Sequence, residues 1–429
     1  VNRNVAGGSM KYLKLSGKLC VLLCCSLLAG LLLLWCAFLL PEESIMNHAV
    51  SSAETFSYEG TDAAVGYAYS ERLDNWTDAL MIGNACYQKD GAGALERAAA
   101  AYRPDFQGEN PIISLEAYVN SQDGVGAIAY PRYWHGYLVV LRPLLMVTDY
   151  MGIRTMNTIA FAVVLLVLIG VILRKKQWEL LLPLGVTILF LRPLAIVHSL
   201  QFSTVFYPMM LSVIACIVFQ KWVLRDEHFV YLIFMNGVWI GYLDLLTYPA
   251  ASLGVLLTVL MMLQKHMKVA DRIRQLVLSS AAWGFGYFGM WGGKWFISSA
   301  ILHQNVLVDA LSQAQVRVSG SYGEHRFSRM MVFVRNLGAG FLGVLVPAVI
   351  FFVLLTVFML WRRREYLKTR EGWIAVTSQT VSYLLICLIP FVWYSVFTNH
   401  SYIHIIFTYR TLAAAVCGWC GMCVMQVES

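Results

Sequence analysis

The chain has 429 residues, of which 59% are hydrophobic and only 13% charged, with a formal net charge of +7. Soluble globular domains carry about 25% charged residues, so a soluble enzyme, a disordered protein and a disulfide-rich secreted domain are all excluded. Several uncharged runs reach 17 residues or more, long enough to cross a bilayer as helices, and an all-α polytopic membrane protein remains.

Ten spans are predicted, near residues 19–40, 155–173, 179–193, 203–221, 229–246, 248–264, 275–294, 337–361, 373–398 and 406–425. The organisation that follows is an N-terminal segment (1–18), a first span (19–40), a long loop (41–153), spans two to seven (154–294), a second long loop (295–336), and three last spans with a tail (337–429). The fifth and sixth spans have no polar loop between them and form a tight hairpin. The first span is expected to be a retained anchor. Its apolar run of 22 residues is longer than a signal-peptide core, and no A-x-A site follows. Residues 1–9 precede Met10 and read as an early start or an added remnant.

Charge sets the expected orientation. With the N-terminus in the cytoplasm, the cytoplasmic segments hold 18 of the 32 basic residues and 7 acids (Glu428 of the tail among them), net +11, and the opposite side is net −4. Basic residues favour cytoplasmic loops, so both termini are expected in the cytoplasm and both long loops on the outer face. The basic clusters are then topology signals, and no nucleic-acid partner is expected.

The first outer loop holds 15 of the 25 acidic residues, and an outer loop of this length suggests a task. Within it, Leu73-Asp74-Asn75-Trp76-Thr77-Asp78 opens a helix that suits the membrane surface, with Asp74 as N-cap. Asp74 and Asp78 share one face. They are either a cap plus a solvated acid or a carboxylate pair held near the membrane. Farther on, Tyr130-Pro131-Arg132-Tyr133-Trp134-His135-Gly136-Tyr137 leads into a second surface-lying helix that reaches Arg142 and Met146. Interfacial anchoring explains it; the sharper reading is a lipid phosphate held by Arg132, His135 or Arg142.

Other charges fall where hydrocarbon is expected. Asp244 lies under the tip of the hairpin, Arg192 ends the third span and Lys294 the seventh, and His400, His404 and Arg410 enter the tenth. Ionisable residues at such depth face a cavity or each other, so an outward-facing polar cavity is expected, with separate snorkelling side chains as the alternative. Nine of the ten cysteines fall in spans, which leaves Cys86 without an outer partner. Cys417-x-x-Cys420-x-x-Cys423 sits on an apolar helix, where cysteine acts as a small hydrophobe. Gly284-Phe-Gly286-Tyr-Phe-Gly289 and Gly338-Ala-Gly340-Phe-Leu-Gly343 match a dinucleotide fingerprint, but neither follows a strand. Gly289-x-x-x-Gly293 reads as close helix packing. His400-x-x-x-His404 has helical metal spacing but no third ligand near it in sequence. No metal site is assigned. The sequence calls for no cofactor, though it leaves room for a divalent metal.

The layout resembles the GT-C superfamily of integral membrane glycosyltransferases, which use polyprenyl-phosphate sugars. The shared features are about ten spans, a cytoplasmic start, a long first outer loop with two surface-lying helices, and an acid at a helix start early in that loop. The matching position is Asp74, with Asp78 as the second choice. The chain reads Asp-Asn-Trp-Thr-Asp there, not the acidic doublet of many members. The resemblance implies transfer of a sugar from a polyprenyl phosphate to a cell-envelope glycan or polymer on the outer face, within the cell membrane. Asp74 or Asp78 would be the base. Arg132, His135, Arg142, Arg192, Lys294, His400, His404 and Arg410 would serve the phosphate and sugar, with Asp244 on sugar hydroxyls. The rivals are a transporter or flippase for a lipid-linked or anionic solute, an envelope polysaccharide polymerase or ligase, and a non-catalytic assembly or sensor protein.

Overall fold

The computed structural model describes residues 2–264 and 267–425, with side chains from Tyr12 onward. Lys265, Glu428 and the side chains of Arg3 and Lys11, all counted in the charge balance above, lie outside the described residues. The chain is mostly helical. Six helices are long and apolar enough to cross a membrane: Tyr12–Ala37, Tyr150–Arg174, Leu200–Val218, Leu345–Arg362, Arg370–Val396 and Ile405–Val424. Leu28, Leu166, Leu354 and Val392 on four of them point outward and are exposed. Such a belt needs lipid as its solvent.

The other four expected spans differ from the prediction. Three are shorter apolar helices, Trp178–Phe190, Phe229–Leu243 and Pro249–Leu263. The fourth, 275–294, lies inside the long helix Val269–Leu302. That helix buries Arg272, Gln275, Ser279, Lys294 and Ser298 on its inner face, which lowers its apolar character. The expected span 337–361 is broken. Arg329–Phe341 ends, Gly343 takes a positive φ of 90°, and Leu345–Arg362 starts afresh. A residue with a side chain pays for that backbone conformation and glycine does not.

Two further corrections concern the loops. The molecule is not purely α: Arg103–Phe106 pairs antiparallel with Val125–Ile128, and Ser321–Tyr322 with His325–Arg326. The helix expected to lie on the membrane surface, Asn75–Cys86, is instead buried along nearly its whole length, with Trp76 the exposed exception. It forms the core of the 41–153 segment, sandwiched by Glu42–Glu59, Pro111–Val119 and Leu138–Leu145. Leu138–Leu145 does keep an outer apolar face through the exposed Val140, while Leu138, Leu141 and Leu145 are buried.

Small residues let the central helices touch. A Cβ on Gly237 would strike the Trp283 carbonyl, and one on Gly286 the Phe234 carbonyl, so Phe229–Leu243 and Val269–Leu302 meet backbone to backbone. One to two turns farther along the long helix, Gly289 and Gly293 receive Leu23 and Leu27 of the first helix. The packing reading of Gly289-x-x-x-Gly293 therefore holds. Overpacking such a contact costs about 1–3 kcal/mol. Gly293→Leu is accordingly expected to lower the thermal midpoint of the detergent-solubilised protein, and Gly292→Leu, where nothing lies near, to leave it within a degree or two.

Candidate functional site

The acids come first. Asp74 caps the Asn75–Cys86 helix, accepting from the Thr77 amide at 3.1 Å and the Thr77 hydroxyl at 2.8 Å. It is 8% exposed, and both its carboxylate oxygens face one residue. Burial pushes its pKa from 3.8 up to about 7; the Thr77 bonds oppose this, and the nearby Asp78 charge adds to it. A carboxyl poised there can take or give a proton near neutrality.

Asp78 is different, and the expectation of a second available base fails. Its carboxylate accepts from the Tyr150 hydroxyl at 2.6 Å, the Leu200 amide at 2.8 Å, the Gln201 amide at 2.9 Å and the Ser199 hydroxyl at 3.3 Å. Those two amides are orphan donors at the start of Leu200–Val218. An acid from another segment thus caps that helix, which satisfies both the amides and the helix dipole. Asp244 is likewise occupied. It accepts from the Thr247 amide at 2.9 Å, from the Thr247 hydroxyl, and from Thr204 at 3.2 Å, and so ties the hairpin turn to the same helix.

Most of the predicted cations also hold backbone, not a ligand. Arg142 is fully buried and donates to the carbonyls of Ala37 and Ala85 and to Glu42. Lys294 caps the Ala94–Ala100 helix by donating to the carbonyls of Ala98 at 3.0 Å and Ala99 at 2.9 Å. Arg410 donates to the carbonyls of Leu191, Ile406 and Ser70 and lies 3.8 Å from the centre of the Phe202 ring. Arg192 reaches the Ser70 hydroxyl at 2.9 Å and lines an apolar cavity beside Gly340. His135 donates from Nε2 to the Tyr130 carbonyl and accepts at Nδ1 from Tyr137, and burial lowers its pKa to about 3, so it is neutral. The single polar cavity expected from these residues is therefore replaced by several separate structural clamps.

Two hollows remain beside them. An apolar groove of about 470 Å³ lies between Leu138–Leu145, Tyr150–Arg174 and Leu200–Val218. Leu141, Met156 and Leu200 line it, Tyr137 and Thr204 add polar atoms, and the exposed Val140 and Met156 stand on its open side. Met81, seven residues beyond Asp74 on the same helix, forms part of its wall. A second cavity, of about 40 Å³, is lined by Arg132, Tyr133, Trp291, Trp295, Gln313 and Arg317. Leu243 lines the groove and Leu246 the small cavity, so the turn that carries Asp244 borders both. Leu246 itself holds a positive φ of 70°, a strained conformation for a branched side chain.

Of the sequence-predicted cations, only Arg132 lines the small cavity, while it pairs with Asp309 at 2.8 Å. His400 and His404 build the wall behind it by accepting from one nitrogen of Arg317. Arg317 escaped the sequence reading. Its signal was present, however: Ala310, Ala314 and Arg317 recur at helical spacing, as do Tyr287, Trp291 and Trp295. Among the described residues no group of three or more metal-ligating side chains occurs. No family model matches the sequence, no curated protein matches it, and no solved structure matches the fold.

Two stability predictions follow from the buried charges. Arg142→Ala strands the carbonyls of Ala37 and Ala85, while Glu42 keeps its pair with Arg97; each buried acceptor left without a donor costs about 1–3 kcal/mol, which a drop in thermal midpoint will register. Asp74 binds its proton more tightly folded than unfolded, so its contribution is greatest at low pH and is lost as pH rises from 3.8 towards about 7. Asp74→Asn should therefore gain stability over the wild type as pH climbs through that window, in melts run at constant ionic strength.

Proposed function

We propose that this chain is a polytopic membrane glycosyltransferase of the GT-C kind. It would cross the bilayer ten times, with cytoplasmic termini and with the 41–153 and 295–336 segments outside. The donor is a polyprenyl-phosphate sugar and the acceptor a cell-envelope glycan or polymer. The observation that carries the reading is the apolar groove of about 470 Å³, open at its side and walled by the helix that bears Asp74. A long lipid can reach an embedded site only from the side, and this groove offers it an apolar wall.

The reaction is a single displacement with inversion. Asp74 takes the proton from the acceptor hydroxyl, the acceptor oxygen bonds to the anomeric carbon, and the bond from that carbon to the phosphate oxygen breaks. The polyprenyl phosphate departs with the electron pair. Asp78 and Asp244 hold the start of Leu200–Val218 and the hairpin turn in register along the groove.

The purified chain, reconstituted with polyprenyl-phosphate sugars and candidate acceptors, tests this. Asp74→Asn should lower transfer by about 10²-fold or more, the usual worth of a general base. Because Asp74 works deprotonated, kcat/KM should climb with pH and level off above about 7. Unchanged transfer in Asp74→Asn removes the assignment of the base. Movement of the sugar lipid across vesicles with no new linkage favours a transporter instead.

A further inference from the structure

The small cavity beneath the Val306–Val318 helix carries an inference independent of sugar transfer. Arg317 projects from that helix, and one of its terminal nitrogens, Nη1, donates to His400 Nδ1 at 2.8 Å and to His404 Nε2 at 3.0 Å. His400 in turn donates from Nε2 to the Leu246 carbonyl at 2.6 Å. Both imidazoles are thus neutral acceptors, and burial together with the Arg317 charge keeps their pKa values low. Two neutral rings fix the guanidinium without cancelling its charge. No carboxylate lies within ion-pair distance of Arg317 among the described residues.

The unused part of that guanidinium is its Nε–Nη2 edge. This edge presents two parallel N–H groups, the fork that grips an oxyanion side-on. Across the cavity stands Trp291, 9% exposed, whose indole N–H has no partner. A buried donor left without an acceptor is costly, so its presence beside an uncompensated cation signals a missing acceptor. Arg132 and Gln313 also line it, among apolar and aromatic side chains that include Tyr133, Leu246, Trp295 and Phe397. The volume of about 40 Å³ is room for a few waters or one tetrahedral oxyanion, and too little for a sugar ring.

We infer that this cavity is an oxyanion site that takes one phosphate group, gripped by the free edge of Arg317 with the Trp291 N–H opposite. The phosphate is either free or the head of a membrane lipid. Asp74 and the groove have no part in it, so phosphate binding and sugar transfer stand or fall separately.

The test is isothermal titration of the full chain in neutral-detergent micelles, with inorganic phosphate in one arm and dodecyl phosphate in the other. Saturable binding in either arm, weakened at least about tenfold by Arg317→Gln, supports the site. Binding of inorganic phosphate assigns free phosphate as a source, and binding of dodecyl phosphate alone assigns the lipid head. Trp291→Phe removes the N–H but keeps an aromatic ring, and should weaken the same binding several-fold, read at a temperature well below the variant's own thermal midpoint because the smaller ring lowers stability. This second variant decides the matter should Arg317→Gln fail to fold. No saturable binding by the wild type in either arm overturns the inference, as does binding of equal strength in the wild type and the variants.

Discussion

A helix that ends inside an apolar body leaves amides or carbonyls that water cannot reach, and in this chain charged side chains from distant segments supply the partners. Asp78 holds the first amides of Leu200–Val218. Lys294 holds the last carbonyls of Ala94–Ala100. Arg363 donates to the carbonyls of Met422 and Met425 at the end of the last helix, and Arg410 to those of Leu191, Ile406 and Ser70. Except for the bond from Arg410 to Ile406 one turn away, each joins parts of the chain that are far apart in sequence. Removing either partner strands the other in a medium of low dielectric, so these bonds hold the 41–153 segment onto the helices more firmly than apolar contact alone.

That constraint also governs where chemistry can occur. A cation whose donors are spent on carbonyls has little left for a ligand. Arg142 and Arg410 are in that condition, and Lys294 is fully buried against two carbonyls and the Trp134 ring. Among the acids the contrast is between Asp78, which accepts four hydrogen bonds from three residues of another helix start and a tyrosine, and Asp74, served by Thr77 alone. The less satisfied member of the pair is the one whose proton is free to move. Among the cations, Arg317 stands in the same relation to the rest.

The groove and the small cavity meet at the Leu243–Leu246 turn. Asp244 anchors this turn through Thr247 and Thr204, and His400 holds the strained Leu246 by its carbonyl. A turn stapled from both sides is a rigid boundary between an apolar hollow and a charged one. Residues of both long loops reach the two hollows it separates, Tyr137 lining the groove and Arg317 the small cavity.

Composition and run length by themselves determined that the chain is helical and suited to lipid, because apolar runs of this length have no other stable form in a bilayer. The N-cap at Asp74 and the close packing at Gly289 and Gly293 were equally legible, since each depends on neighbours within one or two helical turns. The break at Gly343, the burial of Asn75–Cys86 and the short strands needed the tertiary structure, because each is settled by packing against segments remote in sequence. The same holds for the site. A sequence places a charge at a depth, but only the folded chain decides whether a carbonyl, a carboxylate or an empty cavity lies within reach of it, and that difference separates Lys294 and Arg410 from Arg317.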